Sequence, residues 1–238
     1  MVDRLNRQAV RREQTTDVSM LERLVAPDGK DVLDIGCGAL VRELACRGAR
    51  AIGLEVSQQQ LGPALARDPD GRARYLVGRA QALPLPDASV DVAVFMRTLH
   101  HVPPADLRLT LAEARRVLRP GGAVYVAEPL AEGDFFALTS LVDDELEVRE
   151  AAQAALAAAG PAGLDRVTTV DYDVRVSVPG LAGLRARMVS VDPARAAAFD
   201  ARKARLAEAF ERLGEDGEGE GEGCFLQPMR ADVLRASA

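Results

Sequence analysis

The stretch VLDIGCGALVRELACRG, Val32 to Gly48, decides the fold that we expect for this chain. A run of strand-forming residues ends at Ile35, a Gly-x-Gly turn follows at Gly36 and Gly38, and apolar residues then recur at helical spacing. Glycines in such a turn let backbone N–H groups approach a ligand without interference from a Cβ atom. The stretch therefore predicts a ligand-binding turn between a strand and a helix of an α/β domain.

The segments on either side of this turn alternate between strand-like runs and helical segments. Candidate strands cover residues 31–35, 50–55, 73–78, 90–96 and 123–129, with two more expected within 166–178 and 224–236. Pro120, Gly121 and Gly122 are expected to end a helix, and Pro228 to lie at a sheet edge or bulge. Because strands that alternate with helices indicate parallel pairing with crossover helices, we predict a Rossmann-like, doubly wound α/β sheet.

The composition disfavours several classes of protein. No run among the 238 residues is long and apolar enough to cross a bilayer, and no secretory signal opens the chain, so we expect a cytoplasmic protein without a membrane contact. A formal net charge of -6 repels a phosphate backbone, so we expect no nucleic-acid partner. Cys37, Cys46 and Cys224 form no CxxC pair and are predicted to be free thiols, with no metal site. The oligomeric state stays open.

Glu55, at the end of the second predicted strand, supplies a second feature of a binding site. A carboxylate in this position accepts hydrogen bonds from both hydroxyls of a ribose, so the turn and Glu55 together favour a cofactor that contains a nucleoside. Dinucleotides and S-adenosylmethionine both meet this description. A dinucleotide fingerprint would require glycine where the chain has Val41, which disfavours a nucleotide-dependent oxidoreductase but leaves it as an alternative.

Four ordered motifs carry a more specific signal: VLDIGCGAL, GRAQALPLPDASVDVAV, LHHVP and RVLRPGGAVYVAEP. In sequence and order they resemble the class I S-adenosylmethionine-dependent methyltransferases, in particular the small-molecule branch that is called methyltransferase type 11-like. The resemblance covers residues 31–129. It implies methyl transfer from S-adenosylmethionine to a small-molecule acceptor, on a mostly parallel, seven-stranded sheet with an antiparallel edge strand.

The resemblance also assigns roles to individual residues. It implies that Glu55 holds the ribose and that His101 is a candidate base, although a structural role for at least one of His100 and His101 remains the alternative. The other residues implied to bind the cofactor are Asp34, Gly36, Cys37 and Gly38 at the methionine and ribose end, Arg79 and Ala80 beside the adenine, and Phe95 and Met96 at the sulfonium.

Two departures from the family pattern weaken this assignment. Arg79 stands where the family usually has an acidic or polar residue, and the glycine loop after Gly38 is two residues short. We expect the chain to compensate by unwinding the first helical turn, so that the helix starts near Val41 and Leu40 crowds the cofactor. The alternative function is therefore a degenerate, non-catalytic binding protein with a weakened cofactor pocket.

The expected organisation is a single class I methyltransferase domain over residues 1–238. An N-terminal helical segment covers residues 1–30, a cofactor-binding core covers 31–129, and a substrate-side segment covers 130–238. The substrate-side segment contains a helical insertion at about 181–213 and an acidic linker at 214–223 that is expected to be flexible. We expect the insertion and the stretch at 134–147 to form the acceptor pocket, because loops at the carboxyl rim of such sheets carry specificity.

Overall fold

The computed structural model describes residues 12–56, 58–217, 219 and 221–237. The predicted N-terminal segment therefore lies partly outside the described residues. The strands are β1 (Glu13–Gln14), β2 (Asp31–Ile35), β3 (Arg50–Glu55), β4 (Arg74–Val77), β5 (Val90–Met96), β6 (Leu118–Pro129), β7 (Leu164–Val178), β8 (Glu215–Asp216) and β9 (Gly223–Ala236). The helices are α1 (Asp17–Val25), α2 (Leu40–Cys46), α3 (Gln58–Ala66), α4 (Leu107–Val117), α5 (Gly133–Thr139), α6 (Leu146–Ala157), α7 (Gly180–Val191), α8 (Arg195–Ala201) and α9 (Lys203–Leu213).

The strands form one sheet in the order β1-β7-β9-β6-β5-β2-β3-β4, with β8 paired to β9. Pairing is parallel from β4 through β3, β2 and β5 to β6, and β9 runs antiparallel to both β6 and β7. A mostly parallel sheet with antiparallel pairing towards one end is thus confirmed. The predicted count of seven strands is wrong for the described residues, which form nine, because β1 and β8 are two-residue strands without a sequence signal. The antiparallel strand β9 lies between two neighbours and is not the edge strand.

Apolar residues on alternate positions of the strands bury both faces of the sheet, as the doubly wound prediction requires. Leu33 and Ile35 of β2 face a core that includes α4 and α6. Val32, one position away, faces a second core with α1, α2 and α3. Asp34 shares the face of Val32, so this carboxylate points into the layer that holds α2.

The RPGG segment differs from its predicted role as a helix end and turn. Helix α4 ends at Val117, and residues 118–122 already belong to β6. Val90 pairs with Leu118 but Val92 pairs with Ala123, so the segment forms a bulge, and Gly121 takes a φ of 80° there. Glycine tolerates this conformation better than other residues do.

Pro228 lies in β9, an interior strand, but at a position where no neighbouring strand needs a hydrogen bond from its nitrogen. Residue pairing between β6 and β9 ends at Pro129 and Met229, so β6 offers no strand partner at Pro228. The Pro228 carbonyl accepts a hydrogen bond from the N–H of Leu130 on that side. The missing proline N–H therefore interrupts no ladder.

A third apolar cluster joins α5, α7, α8 and α9 to the ends of β7 and β9, and we call these four helices the cap. Its centre is aromatic, with Phe210 packed edge-on against Phe225 at 5.1 Å between ring centroids. The predicted helical insertion at about 181–213 corresponds to the last three cap helices. Across the described part of the chain, no helix combines the length and apolarity that a membrane span requires.

Candidate functional site

The glycine turn after β2 is fixed by β3 and by the end of β5. The N–H groups of Gly36 and Cys37 both donate to the Leu54 carbonyl, at 2.9 and 3.1 Å. Gly36 has a φ of 79°, and a Cβ atom there would collide with the side chain of Thr98. The turn therefore requires glycine at this position both for its backbone conformation and for its contact with Thr98.

The short loop is accommodated differently from our prediction. Helix α2 begins at Leu40, which is 9% exposed and packs in the same core as Val41 and Leu44. The expected unwinding of Leu40 and its crowding of the ligand are therefore wrong, because burial draws the side chain into the core. Gly38 is exposed, with nothing within 4 Å of the position that a Cβ would take. The turn thus remains open at Gly38.

Asp34 carries a buried carboxylate without a partner. The residue is 1% exposed, and neither oxygen has a hydrogen-bond partner among the described residues. Burial raises the pKa of Asp34 to about 8, and the charge of Glu55 acts in the same direction. The nearby N–H of Val41, which does not reach hydrogen-bond geometry, opposes both effects. Because an unpaired buried carboxylate is costly, this arrangement fits a site completed by a ligand that supplies donors.

Glu55 lies at the end of β3, half-buried, beside the same crevice. Burial raises its pKa above the usual range, against the opposing effect of the Val56 N–H. Its carbonyl accepts a hydrogen bond from the N–H of Gly78 at 2.9 Å, which places the neighbouring Arg79 and Ala80 at the same edge of the sheet. Ala80 is buried, whereas Arg79 is exposed. The orphaned Asp34, the open glycine turn and the Glu55 carboxylate fit the nucleoside and amino-acid ends of S-adenosylmethionine.

Two of the predicted cofactor residues turn their side chains away from this crevice. Cys37 is buried with its Sγ 2.6 Å from the position of a Cβ on Gly53, and burial raises the pKa of its thiol to about 12. Phe95 is fully buried and pairs with Ile35, on the sheet face opposite to Asp34. Only the backbone of Cys37 and Phe95 is therefore available to a ligand. Met96 is half-buried and packs on the core that faces α2.

Beyond Met96 the chain turns sharply at Arg97, which has a φ of 56°. This left-handed conformation is unfavourable for arginine and persists only where the surroundings hold it. The Arg97 N–H donates to the Ala127 carbonyl at 2.8 Å, and its guanidinium pairs with Asp17 through two contacts of 2.9 Å. Asp17 also accepts the Tyr172 hydroxyl at 2.7 Å. The turn is therefore locked from both the sheet and α1.

Glu128, near the end of β6, organises the residues after this turn. One carboxylate oxygen accepts the N–H groups of Thr98 and Leu99, at 3.0 and 2.7 Å, and the other contacts Nδ1 of His100. Both Glu128 and His100 are buried. The sequence analysis assigned no role to Glu128. The signal that could have found it was an acidic residue in an otherwise apolar strand, β6, which pairs with the strand that precedes LHHV. His100 is thus held in place, which suits a positioning role.

A cavity of about 180 Å³ opens between this turn, the end of β6 and the cap. Its walls include the two segments that were expected to form an acceptor pocket, 134–147 and the helical insertion. His101 lies at the cavity with its ring centroid 4.0 Å from that of His100. Desolvation by the surrounding protein lowers the pKa of His101, and His100 adds to the effect. His101 is therefore a neutral imidazole at neutral pH, although its surface is exposed to solvent.

His100, His101 and Glu145 bring potential metal-ligand atoms within 4.8 Å of one another. Glu145, however, already accepts hydrogen bonds from Arg149 at 2.7 Å and from Arg195 at 2.9 Å. Burial works to raise the pKa of Glu145, but these arginines and His100 hold it below the usual range. Because two guanidinium groups occupy the carboxylate, the cluster is poorly suited to a cation.

The fold and the two adjoining sites define an α/β protein with a nucleoside-type crevice at the carboxyl edge of its sheet. Residues 33–126, less than half of the chain, match the family model described as "Methyltransferase domain".

Curated relatives are similar over the same region. The chain is 36% identical over 139 residues to 27-O-demethylrifamycin SV methyltransferase of Amycolatopsis mediterranei, which is 54% of this chain and 48% of that protein. It is 32% identical over 117 residues to O-methyltransferase cnsE of Penicillium expansum, 46% of this chain and 42% of that protein. The chain thus spans less than half the length of either relative.

A solved structure supports the fold across nearly the whole chain. A candidate methyltransferase of Bacillus halodurans C-125 superposes with a TM-score of 0.64 at 19% identity, covering 94% of this chain and 100% of that chain. At this identity the likeness establishes the fold alone.

Proposed function

We propose that the protein transfers the methyl group of S-adenosylmethionine to a hydroxyl group of a small-molecule acceptor. One observation carries the proposal: the side chain of Thr98 packs on Gly36, while Arg97 and His100 on either side of it line the cavity. The glycine turn and the cavity are therefore connected through the segment 97–100. Oxygen is the proposed acceptor atom because one relative named above is an O-methyltransferase by name and the name of the other specifies a 27-O-demethyl substrate.

The residues proposed to hold the cofactor are those that the crevice presents. Glu55 accepts the ribose hydroxyls, Asp34 accepts donors at the amino-acid end, and the turn at Gly36 to Gly38 contributes backbone. Arg79 and Ala80 flank the base, and Met96 with the backbone of Phe95 and Cys37 completes the site. When bound, S-adenosylmethionine supplies an electrophilic methyl group on a sulfonium.

The chain contributes mainly positioning to the reaction. S-adenosylmethionine in the crevice would supply its methyl group to the acceptor oxygen and leave as S-adenosylhomocysteine, and a ring nitrogen of His101 would accept the hydroxyl proton. Because the leaving thioether is stable, alignment of the two ligands accounts for most of the acceleration. His100 and Glu128 hold the turn that presents His101, and the cap limits access of water.

The first test measures cofactor binding alone, by calorimetric titration with S-adenosylhomocysteine. We expect Glu55→Gln to weaken binding by ~1.5 to 3 kcal/mol, the range for a hydrogen bond to a charged group. Glu132→Gln, an exposed carboxylate outside the crevice, serves as the control. Absence of binding by the native chain would favour the degenerate alternative, and equal affinity of the Glu55 variant would remove Glu55 from the site.

A further inference from the structure

Four arginines line the cavity, and three of them already have carboxylate partners. Arg97 pairs with Asp17, Arg149 with Glu145, and Arg195 with Asp143 at 2.6 Å as well as with Glu145. The carboxylates in the cavity wall, Asp143 and Glu145, are therefore both engaged. The residues that line the cavity include four arginines and two carboxylates, in a protein whose formal net charge is -6.

Arg187 is the fourth arginine, and it lies on α7 at the edge of the cavity. Within the described part of the chain, no carboxylate lies within ion-pair distance of Arg187, and its guanidinium forms no hydrogen bond with the protein. The guanidinium carbon lies 5.3 Å from the ring centroid of Phe135, so an aromatic face covers one side of the group. Stacking of this kind leaves the edge N–H donors available to a ligand.

The Arg187 side chain is exposed to solvent at the edge of the cavity, where an entering ligand can reach its guanidinium. Desolvation lowers the pKa of Arg187, and the nearby charge of Arg97 lowers it further. The planar fork of donors on an arginine at the edge of a cavity matches the two oxygens of a carboxylate. The neighbouring cavity walls include Pro129, Met188 and Val191, which offer contact to an apolar body.

We infer that the acceptor is a hydroxy acid with an apolar body, and that Arg187 binds its carboxylate while His101 faces its hydroxyl group. The inference rests on the proposed function for the role of the hydroxyl, but the anion site follows from the arginines alone. This inference makes Arg187 a residue that determines which acceptor the protein binds. A cation at His100, His101 and Glu145 is the competing occupant, and the surplus of positive charge disfavours it.

The test compares an acid with its neutral analogue, 4-hydroxybenzoate and 4-hydroxybenzamide, by ligand-observed NMR titration of the full chain. Titrations are run with and without S-adenosylhomocysteine. We expect the native chain to bind the acid about tenfold or more tightly than the amide, and this preference to weaken with added salt. Arg187→Met should abolish the preference, and Arg187→Lys should retain part of it. Arg205→Met, an exposed cap position away from the cavity, is the matched control.

Each outcome separates this inference from the proposed function. If the native chain shows no preference for the acid at millimolar concentration, or if Arg187→Met keeps the preference, the inference is wrong even when S-adenosylhomocysteine binds. If S-adenosylhomocysteine does not bind but the preference depends on Arg187, the anion site stands and methyl transfer fails. If Zn²⁺ or Mg²⁺ is needed for acid binding, the cluster at His100 is a cation site and the inference is overturned.

Discussion

The crevice at Asp34 and the cavity at His101 adjoin each other but differ in the charged side chains that they present. The crevice presents two carboxylates, Asp34 and Glu55, whose pKa values are raised by burial, and Asp34 has no hydrogen-bond partner among the described residues. The cavity presents paired arginines and one unpaired arginine, Arg187. Among the described residues, the crevice thus leaves a carboxyl group without a partner, and the cavity leaves an arginine without one. The comparison indicates that the two ligands are sorted by charge as well as by shape.

The largest expected effect falls on the cavity side, at the candidate base. His101→Gln should lower kcat by about 10²- to 10⁴-fold, the usual contribution of a positioned general base, while leaving S-adenosylhomocysteine affinity unchanged. Because the pKa of His101 is lowered, the base is deprotonated above that value, and the acid limb of native kcat/KM should lie below the ordinary histidine value of about 6.5. The limb should disappear in the variant. Activity within about twofold of native would exclude His101 as the base.

The next largest effect concerns the segment 97–100 between the two sites. Glu128→Gln replaces an acceptor of three donors with a group that donates on one side, so either the Thr98 and Leu99 N–H groups or His100 lose their partner. We expect unfolding free energy to fall by about 3 kcal/mol, measured by urea denaturation. Glu208→Gln, at an exposed position of α9, should change it by less than about 0.5 kcal/mol. Equal stability of the two variants would contradict the network described here.

On the crevice side the expected effect is smaller and depends on pH. The pKa of Asp34 is about 8 in the folded protein and about 4 when unfolded, so the unfolded chain loses its proton first as pH rises. Native stability therefore falls between pH 4 and pH 8 relative to an Asp34→Asn variant. We expect the advantage of the variant to be small at pH 4 and to grow towards pH 8, by at most about 1.4 kcal/mol per pH unit.

Thermal unfolding of the two ligand-free proteins across this pH range measures the difference. Asp165→Asn, an exposed carboxyl on β7, is the control and should show no such divergence. A constant difference between native and Asp34→Asn would mean that the Asp34 carboxyl ionises normally in the folded chain. In that case the crevice and the cavity would not differ in the way proposed.

The sequence predicted the crevice side of the molecule better than the cavity side. Strands 31–35, 50–55 and 90–96 have the predicted bounds because buried apolar runs between glycine, aspartate and arginine breaks are local signals. The cavity joins Glu128 to His100 and Arg187 to Phe135, residues that become neighbours only through β5–β6 pairing and cap packing. Strand register also determines the orientation of Phe95, because pairing with Ile35 turns its side chain away from Asp34.

The smallest expected effect is at the glycine turn, where a change in loop length tests how closely the crevice fits its ligand. The insertion of Thr-Gly after Gly38 restores the loop length usual in the family, but Leu40, Val41 and Leu44 anchor α2 in the core. Two extra residues span up to ~7 Å and cannot be taken up by moving the helix outward. They should bulge towards the ligand and weaken S-adenosylhomocysteine binding by about 1 kcal/mol, roughly fivefold, in a calorimetric titration.

The same pair inserted after Gly71, in an exposed turn with open space around its Cβ position, controls for the cost of a longer loop. Thermal unfolding should show that both inserted proteins fold, so that a change in affinity reports on the crevice itself. Tighter binding after insertion at Gly38 would show that the native turn is too short for its ligand. That result would favour the degenerate, non-catalytic alternative for the crevice and would leave the proposed anion preference of the cavity as a separate question.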